Sequence, residues 1–330
     1  MKYAKDTRPK GVANKAAEVL VEALPWIKNI TGKTVVIKYG GSAMVDEQLR
    51  ADVMNDIVLL KIVGVNPVIV HGGGKAITEA MDFLQLPVEF KDGQRVTTPE
   101  AMDLVRTVLM GKVNQELVEA LNEHGNFAVG VSGADAGVIV AEQASPELGR
   151  VGRITRINSP LLDDLVAGDY IPVVASVALG EDGGFYNVNA DMVAGHIAAA
   201  IGAHKVVFLT DVDGLYENFE NKDSLISNLT LFEAQYMIEN NVVSTGMIPK
   251  LKSCVTALDA GVFRAHILNG TTPHSLLLEL LTSTGVGTTM HSTEEACKFD
   301  SHPLGNFASK LLENRALAAA QAAAVERFAG

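Results

Sequence analysis

Twice near its N-terminus the chain runs a β-branched apolar segment straight into glycines and then into a helical pattern. Thr34-Val35-Val36-Ile37-Lys38-Tyr39 ends at Gly40-Gly41, after which Leu49, Val53, Ile57 and Leu60 share a face at helical spacing. Pro67-Val68-Ile69-Val70 ends at His71-Gly72-Gly73-Gly74, and Ile77, Ala80, Met81 and Leu84 repeat the helical spacing. Consecutive strand-glycine-helix units need crossover connections, which selects an α/β fold on a mainly parallel sheet. With 330 residues, 48% of them apolar and 20% charged, the chain can bury both faces of such a sheet.

The alternation resumes downstream. Thr98 suits an N-cap and Pro99 the first helical position, opening a long helix through Met102, Val105, Leu109, Val113, Leu117 and Leu121 that Gly125 ends. Residues 126–186 are strand-rich, with a core strand at Ile171-Pro172-Val173-Val174. A helix near 190–201, a strand at 205–210, a helix after Pro249 and a strand at 265–268 follow, so one sheet is expected to run through both lobes. Residues 14–29 predict a helix kinked at Pro25, and the Ala- and Leu-rich stretch 307–328 is helical by propensity.

Charge and cysteine content narrow the partners. A net charge of -12 opposes nucleic acid, whose phosphates are held by clustered Lys and Arg. Residues 1–50 nevertheless carry nine basic against five acidic residues, a basic N-terminal arm. Cys254 and Cys297 are too few and too far apart for a zinc module or a disulfide scaffold, which points to ordinary thiols in a reducing compartment. No apolar run approaches the roughly 18 residues that span a bilayer, and residues 1–13 are polar rather than a signal core. The expectation is a cytoplasmic protein with neither nucleic-acid nor membrane partners.

Glycines after parallel strands let the backbone approach a phosphate, and the following helix offers free N-H groups and a positive dipole end. Two familiar phosphate motifs fail. No Gly lies five residues before Gly74 and Ala76 replaces the hydroxyl that a P-loop needs, while Ile77 stands where a dinucleotide fingerprint needs its third Gly. Lys38 closes an otherwise apolar strand, where an ammonium is costly unless an anion compensates it or the side chain snorkels outward. Lys250 follows Pro249 in the first turn of a helix, where the macrodipole disfavours a cation by about 0.3–1 kcal/mol unless an anion sits nearby or the side chain points to solvent. Asp191 in Asn187-Val188-Asn189-Ala190-Asp191 is either a helix cap or part of a ligand-facing polar edge. Arg95 in Gly93-Gln94-Arg95-Val96-Thr97 offers a fork suited to a carboxylate, or to a surface ion pair.

Taken together, Lys38-Tyr39-Gly40-Gly41, Val70–Gly74, Gly93–Thr97, Asn187–Asp191, Leu209–Tyr216 and Gly246-Met247-Ile248-Pro249-Lys250 resemble the amino acid kinase family over residues 15–292. Within it they are most similar to the arginine-sensitive members that phosphorylate the side-chain carboxylate of N-acetyl-L-glutamate with ATP. The resemblance implies a three-layer αβα sandwich around an open, mainly parallel sheet shared by two lobes. It further implies an N-terminal segment 1–30 for oligomerisation and regulation, an acetylglutamate-binding lobe 31–200, a nucleotide lobe 201–300 and a C-terminal helical extension 301–330.

By the same resemblance, Lys38 and Lys250 stabilise the transferred phosphoryl group and Asp191 orients them. Gly73, Gly74, Arg95 and Asn187 bind acetylglutamate. Gly40, Gly41, Thr210, Asp211, Asp213, Gly214, Tyr216, Gly246 and Met247 hold the nucleotide, whose magnesium ion bridges phosphates; no protein metal site is expected. Trp26, His274, Glu279, Gly285 and Gly287 look like an arginine site, although Glu279 alone would read as a surface carboxylate. The implied assembly is a dimer, or a hexamer made of three dimers; a nitrogen-signalling partner has no support in the sequence. Lys75-Ala76 and Thr245 depart from the family pattern without removing a group the chemistry needs. Alternatives of the same fold are aspartokinase, glutamate 5-kinase and uridylate kinase, and of a different class a catalytically silent arginine-binding regulator; a nicotinamide dehydrogenase is disfavoured by the failed fingerprint.

Overall fold

The computed structural model describes residues 10–292 except 45, 92, 219, 241, 245, 283 and 284. The predicted extension 301–330, Cys297, Thr245 and the start of the basic arm lie outside the described residues. The chain opens with α1 (Lys10–Ile30, with Pro25 inside it), β1 (Thr34–Tyr39), α2 (Glu47–Ile62), β2 (Asn66–His71) and α3 (Gly74–Phe83). A hairpin of β3 (Phe90–Lys91) and β4 (Gln94–Arg95) leads to α4 (Pro99–Val108) and α5 (Gln115–Asn122). Next come β5 (Ala128–Ser132), β6 (Ile139–Gln143), β7 (Gly152–Ile157), α6 (Pro160–Ala167), β8 (Ile171–Ala175), β9 (Val177–Gly180) and β10 (Phe185–Asn187). The second half holds α7 (Ala190–Ala200), β11 (Lys205–Thr210), β12 (Asn228–Thr230), α8 (Leu231–Glu239), α9 (Ile248–Asp259), β13 (Arg264–Asn269), α10 (Ser275–Leu281) and β14 (Thr288–His291).

Eight strands form one sheet in the order β12-β14-β13-β11-β1-β2-β8-β5. Every pair is parallel except β13 with β14, so the carboxyl ends of β1, β2, β8, β11 and β13 open on the same edge. The expected mainly parallel α/β sheet running through both halves is therefore present. Side chains alternate across it with period two. Val35, Ile37 and Tyr39 of β1 enter one core with α2, α3, α4 and α5, whereas Val36 enters the other with α7, α8 and α9. β2, β8 and β11 split in the same way, giving helices on both faces and three layers. A smaller sheet, β10-β9-β6-β7, occupies the strand-rich stretch 126–186.

The expected long helix from Thr98 to Gly125 is helical without a break from Pro99 to Asn122, but not uniform in winding. Thr98 caps α4 by accepting from the Ala101 N-H, yet residues Leu109–Asn114 form a π-helical turn between α4 and α5. Periodicity cannot reveal a one-residue change of winding, because Leu109, Val113, Leu117 and Leu121 all remain buried.

Candidate active site

Strand alternation aims Lys38 at the face shared with Val36, which α7 covers. There its ammonium lies 3.0 Å from Asp191 Oδ1, while the Lys250 ammonium lies 3.2 Å from Asp191 Oδ2. One buried carboxylate thus bridges cations from β1 and α9, segments far apart in sequence. Gly40 makes room for this, since a Cβ there would sit 2.9 Å from Lys38 Nζ. Asn189, not Asp191, caps α7: its side chain accepts from the N-H groups of Asp191 and Met192. That leaves the Asp191 carboxylate free for the lysines, at a helix N-terminus that favours an anion. Burial pushes the Asp191 carboxyl up, but the two ammonium groups outweigh it and hold its pKa below the usual value.

Lys250 sits in the first turn of α9, with Pro249 second in the helix rather than first. The cation that opposes the dipole there is compensated by Asp191. Both carboxylate oxygens of Asp191 are thus in ion pairs with lysines. Among the described residues no group of three or more His, Cys, Asp or Glu gathers at metal-binding distance.

The glycine turn after β2 separates two cavities. One, of about 400 Å³, is lined by Gly72, Gly73, Gly74, Arg95, Asn187 and Asn189 among others. The other, of about 980 Å³, shares the three glycines and reaches Lys38, Gly40 and Gly41; Lys75 lines both. Arg95 is buried and is not in a surface ion pair: Nη2 donates to Gly74 O at 3.0 Å and to Thr78 Oγ1 at 2.6 Å, and the guanidinium stacks over Phe90. Asn187 donates to Thr97 Oγ1 at 3.3 Å, tying β10 to the segment after β4.

Beyond β11, the loop from Thr210 to Tyr216 is held by its own carboxylates. Thr210 Oγ1 donates to Asp211 at 3.1 Å, and Asp213 accepts from Tyr216 OH at 2.6 Å and from Asn269 Nδ2 at 2.8 Å. Those two donors hold the Asp213 carboxyl below its ordinary pKa. Gly214 packs where a Cβ would meet the Thr288 backbone N at 3.0 Å, and Thr288 Oγ1 accepts from Leu215 N-H. Gly246 and Met247 form the turn entering α9, with Met247 packed on the core beneath it.

The arginine-site candidates do not all meet. Glu279 is buried, not a surface carboxylate: it accepts from His266 Nδ1 at 2.7 Å, Thr289 Oγ1 at 2.8 Å and the Val286 N-H at 2.8 Å. Burial pushes Glu279 up, but these donors outweigh it and bring its pKa down to about 2. Gly285 lies against this carboxylate, where a Cβ would come within 2.6 Å of Oε2. Gly287 instead packs on the β13 backbone. His274, in a left-handed conformation, bonds Asp56 of α2 at 2.7 Å rather than Glu279. Trp26 packs half-buried on the core, and its helix α1 lies against α10. Asn269, His266, Thr288, Thr289 and Thr78 escaped sequence reasoning because their partners lie elsewhere in the chain and no local motif marks them.

A model of the amino acid kinase family matches residues 33–269. The chain is 50% identical over 274 residues to acetylglutamate kinase of Caldanaerobacter subterraneus subsp. tengcongensis, covering 82% of this chain and 92% of the relative. It is 48% identical to acetylglutamate kinase of Halothermothrix orenii, covering 82% and 96% respectively. Among solved structures it is similar to N-acetylglutamate synthase from Neisseria gonorrhoeae complexed with coenzyme A and N-acetylglutamate, with a TM-score of 0.73 and 24% identity over 83% of this chain and 63% of that longer one. That last likeness shows the fold alone; the family model and the two relatives show that the chain belongs to the amino acid kinase family.

Proposed function

We infer that the chain transfers the γ-phosphoryl group of ATP to the side-chain carboxylate of N-acetyl-L-glutamate, giving N-acetyl-L-glutamyl 5-phosphate and ADP, a step of arginine biosynthesis. The observation that carries this reading is the Lys38-Asp191-Lys250 bridge at the carboxyl edge of the sheet beside the glycine turn. Relatives near half identity bearing the name acetylglutamate kinase support the choice of acceptor.

The chemistry asks little of proton transfer. A carboxylate nucleophile is already ionised near neutral pH, so no general base is required. The obstacle is repulsion between two anions held in line, and the residues here address it by charge and alignment. Lys38 and Lys250 stabilise the charge that spreads over the transferred group, and Asp191 keeps both ammonium groups in place while no substrate is bound. Gly73 and Gly74 N-H groups, Arg95 and Asn187 hold acetylglutamate in the lobe 31–200. Gly40, Gly41, the Thr210–Tyr216 loop and the Gly246-Met247 turn hold the nucleotide, largely in the lobe 201–300. Magnesium enters as part of the MgATP substrate.

Regulation and assembly complete the reading. Arginine binds near Glu279, Gly285 and α1 and inhibits; release of one Glu279 oxygen from its buried donors would let it pair with a guanidinium. The exposed apolar side chains of α1, Val19, Leu20, Val21 and Leu24, support a role for residues 1–30 in joining dimers into a hexamer. No described helix is long and apolar enough to cross a membrane. A coupled assay of ADP release with ATP, magnesium and either N-acetyl-L-glutamate, aspartate, glutamate or uridylate tests the reading; turnover confined to acetylglutamate is expected, and preference for another acceptor would replace it.

A further inference from the structure

His71 and Asn114 are wholly buried polar residues beneath the glycine turn, and nothing in the chemistry above uses them. Asn114 Nδ2 lies 2.8 Å from the carbonyl of Val173 in β8 and 3.0 Å from His71 Nε2. A carbonyl accepts only, so the amide nitrogen donates to it, and its second hydrogen faces His71 Nε2, which must then accept. The imidazole proton is therefore on Nδ1, which lies 2.9 Å from Gly72 O and donates to it. Burial keeps this ring neutral, with its pKa pulled down to about 4. A directed chain results: Asn114 to His71 to the Gly72 carbonyl. In a planar trans peptide the N-H opposes the C=O, so fixing Gly72 O fixes the Gly73 N-H pointing the other way.

The π-helical turn explains why Asn114 is available. In an α-helix, residues five apart diverge by roughly 140°, whereas the wider winding of i to i+5 hydrogen bonding brings them onto one face. Leu109 and Asn114, the first and last residues of the turn, can then face the same structure. Leu109 and Val113 press on Gly73, where a Cβ would meet them at 2.7 and 3.1 Å. One turn of helix thus touches the glycine turn twice, once through apolar packing and once through the hydrogen-bond chain. The arrangement leaves a cost uncompensated, since Asn114 Oδ1 is buried without a hydrogen-bond partner among the described residues. A core built only for stability would place a hydrocarbon there.

We propose that Asn114 and His71 are positioning residues of the phosphoryl-transfer site, and that the π-helical turn Leu109–Asn114 exists to hold the Gly72–Gly74 turn with its N-H donors aimed at the acceptor substrate. This rests on the phosphotransfer reading above, which the unmodified chain's own turnover tests separately.

The experiment has two arms on the full chain. Steady-state kinetics of Asn114→Ala and Asn114→Ser should show kcat/KM for N-acetyl-L-glutamate falling roughly 10-fold or more, with the KM for ATP within about twofold of the parent. Long-range ¹H-¹⁵N correlation spectra of the parent should show His71 as the neutral Nδ1-H tautomer from about pH 5.5 to about pH 8. The spectra do not depend on any variant folding. The proposal is overturned by an Nε2-H tautomer in the parent. Equally, folded variants with unchanged kcat/KM, or with kcat reduced only in proportion to lost active protein, would reduce Asn114 to packing. An inactive parent would remove the phosphotransfer reading and this proposal together.

Discussion

Gly195 and Ser253 bring α7 and α9 into backbone contact: a Cβ on Gly195 would stand 2.6 Å from the carbonyl oxygen of Ser253. Asp191 lies one turn before Gly195, and Lys250 lies one turn before Ser253. The close approach of the two helices is what lets a 3.2 Å ion pair form between them. Gly195→Ala must therefore push the helices apart and lengthen that pair. A loss of about 1–3 kcal/mol in stability is expected from overpacking against backbone, together with a fall in kcat. Thermal unfolding and initial rates check both; an unchanged kcat would show that the helix spacing does not set the lysine.

Arg95 meets Gly74 and Thr78 through the same nitrogen and stacks on Phe90, a geometry that a point-charge ammonium cannot reproduce. Arg95→Lys should raise the KM for acetylglutamate roughly 10-fold while leaving that for ATP near the parent's. Parallel changes in both Michaelis constants would remove Arg95 from the acceptor side of the site.

Asn269 closes β13 and supports Asp213 across the mouth of the Thr210–Tyr216 loop. Asn269→Ala removes one of the carboxylate's two side-chain donors and loosens the segment that includes Tyr216. The KM for ATP should rise several-fold, about 1 kcal/mol and so below the range of roughly 1.5–3 kcal/mol for a hydrogen bond to a charged group, with little change for acetylglutamate. Isothermal titration with a non-hydrolysable nucleotide measures the effect directly, and equal affinity in variant and parent would contradict it.

Glu279 gives a pH signature. Its folded pKa lies near 2, below the unfolded value of 4.5, so its ionised form stabilises the fold fully above about pH 4.5 and loses that contribution as pH falls toward 2. Glu279→Gln should lower stability by on the order of 3 kcal/mol at neutral pH. The gap between variant and parent should narrow on acidification from about pH 5 to about pH 3. Urea titrations across that range check it; a gap that widens toward acid would mean the carboxyl is not held ionised by its donors.

Much of this architecture could be read from the chain because its signals are local. The glycine turns directly follow their strands, and the period-two split of β1 and β2 follows from their β-branched residues. Lys38 and Lys250 stood out because each breaks a local rule, one by closing an apolar strand and the other by opposing a helix dipole. That they meet on one carboxylate could only come from topology, since it depends on β1 lying beside β11 and on α7 packing against α9. The division of labour between Asn189 and Asp191 was equally hidden, as either side chain could cap. So was the company of Glu279: its partners His266 and Thr289 come from neighbouring strands, whereas His274, close by in sequence, turns away to Asp56. The winding change at Leu109–Asn114 left no trace in the pattern of apolar residues.

The proposed phosphoryl transfer requires Lys38 and Lys250 to act on charge that develops during transfer rather than on ground-state binding. Steady-state kinetics of Lys38→Ala, Lys250→Ala and the double variant measure this most directly. The expected result is a fall in kcat of roughly 100-fold or more for each single variant, Michaelis constants changed by far less, and a double variant that loses less than the sum. Turnover preserved in both single variants, with only the Michaelis constants raised, would contradict it.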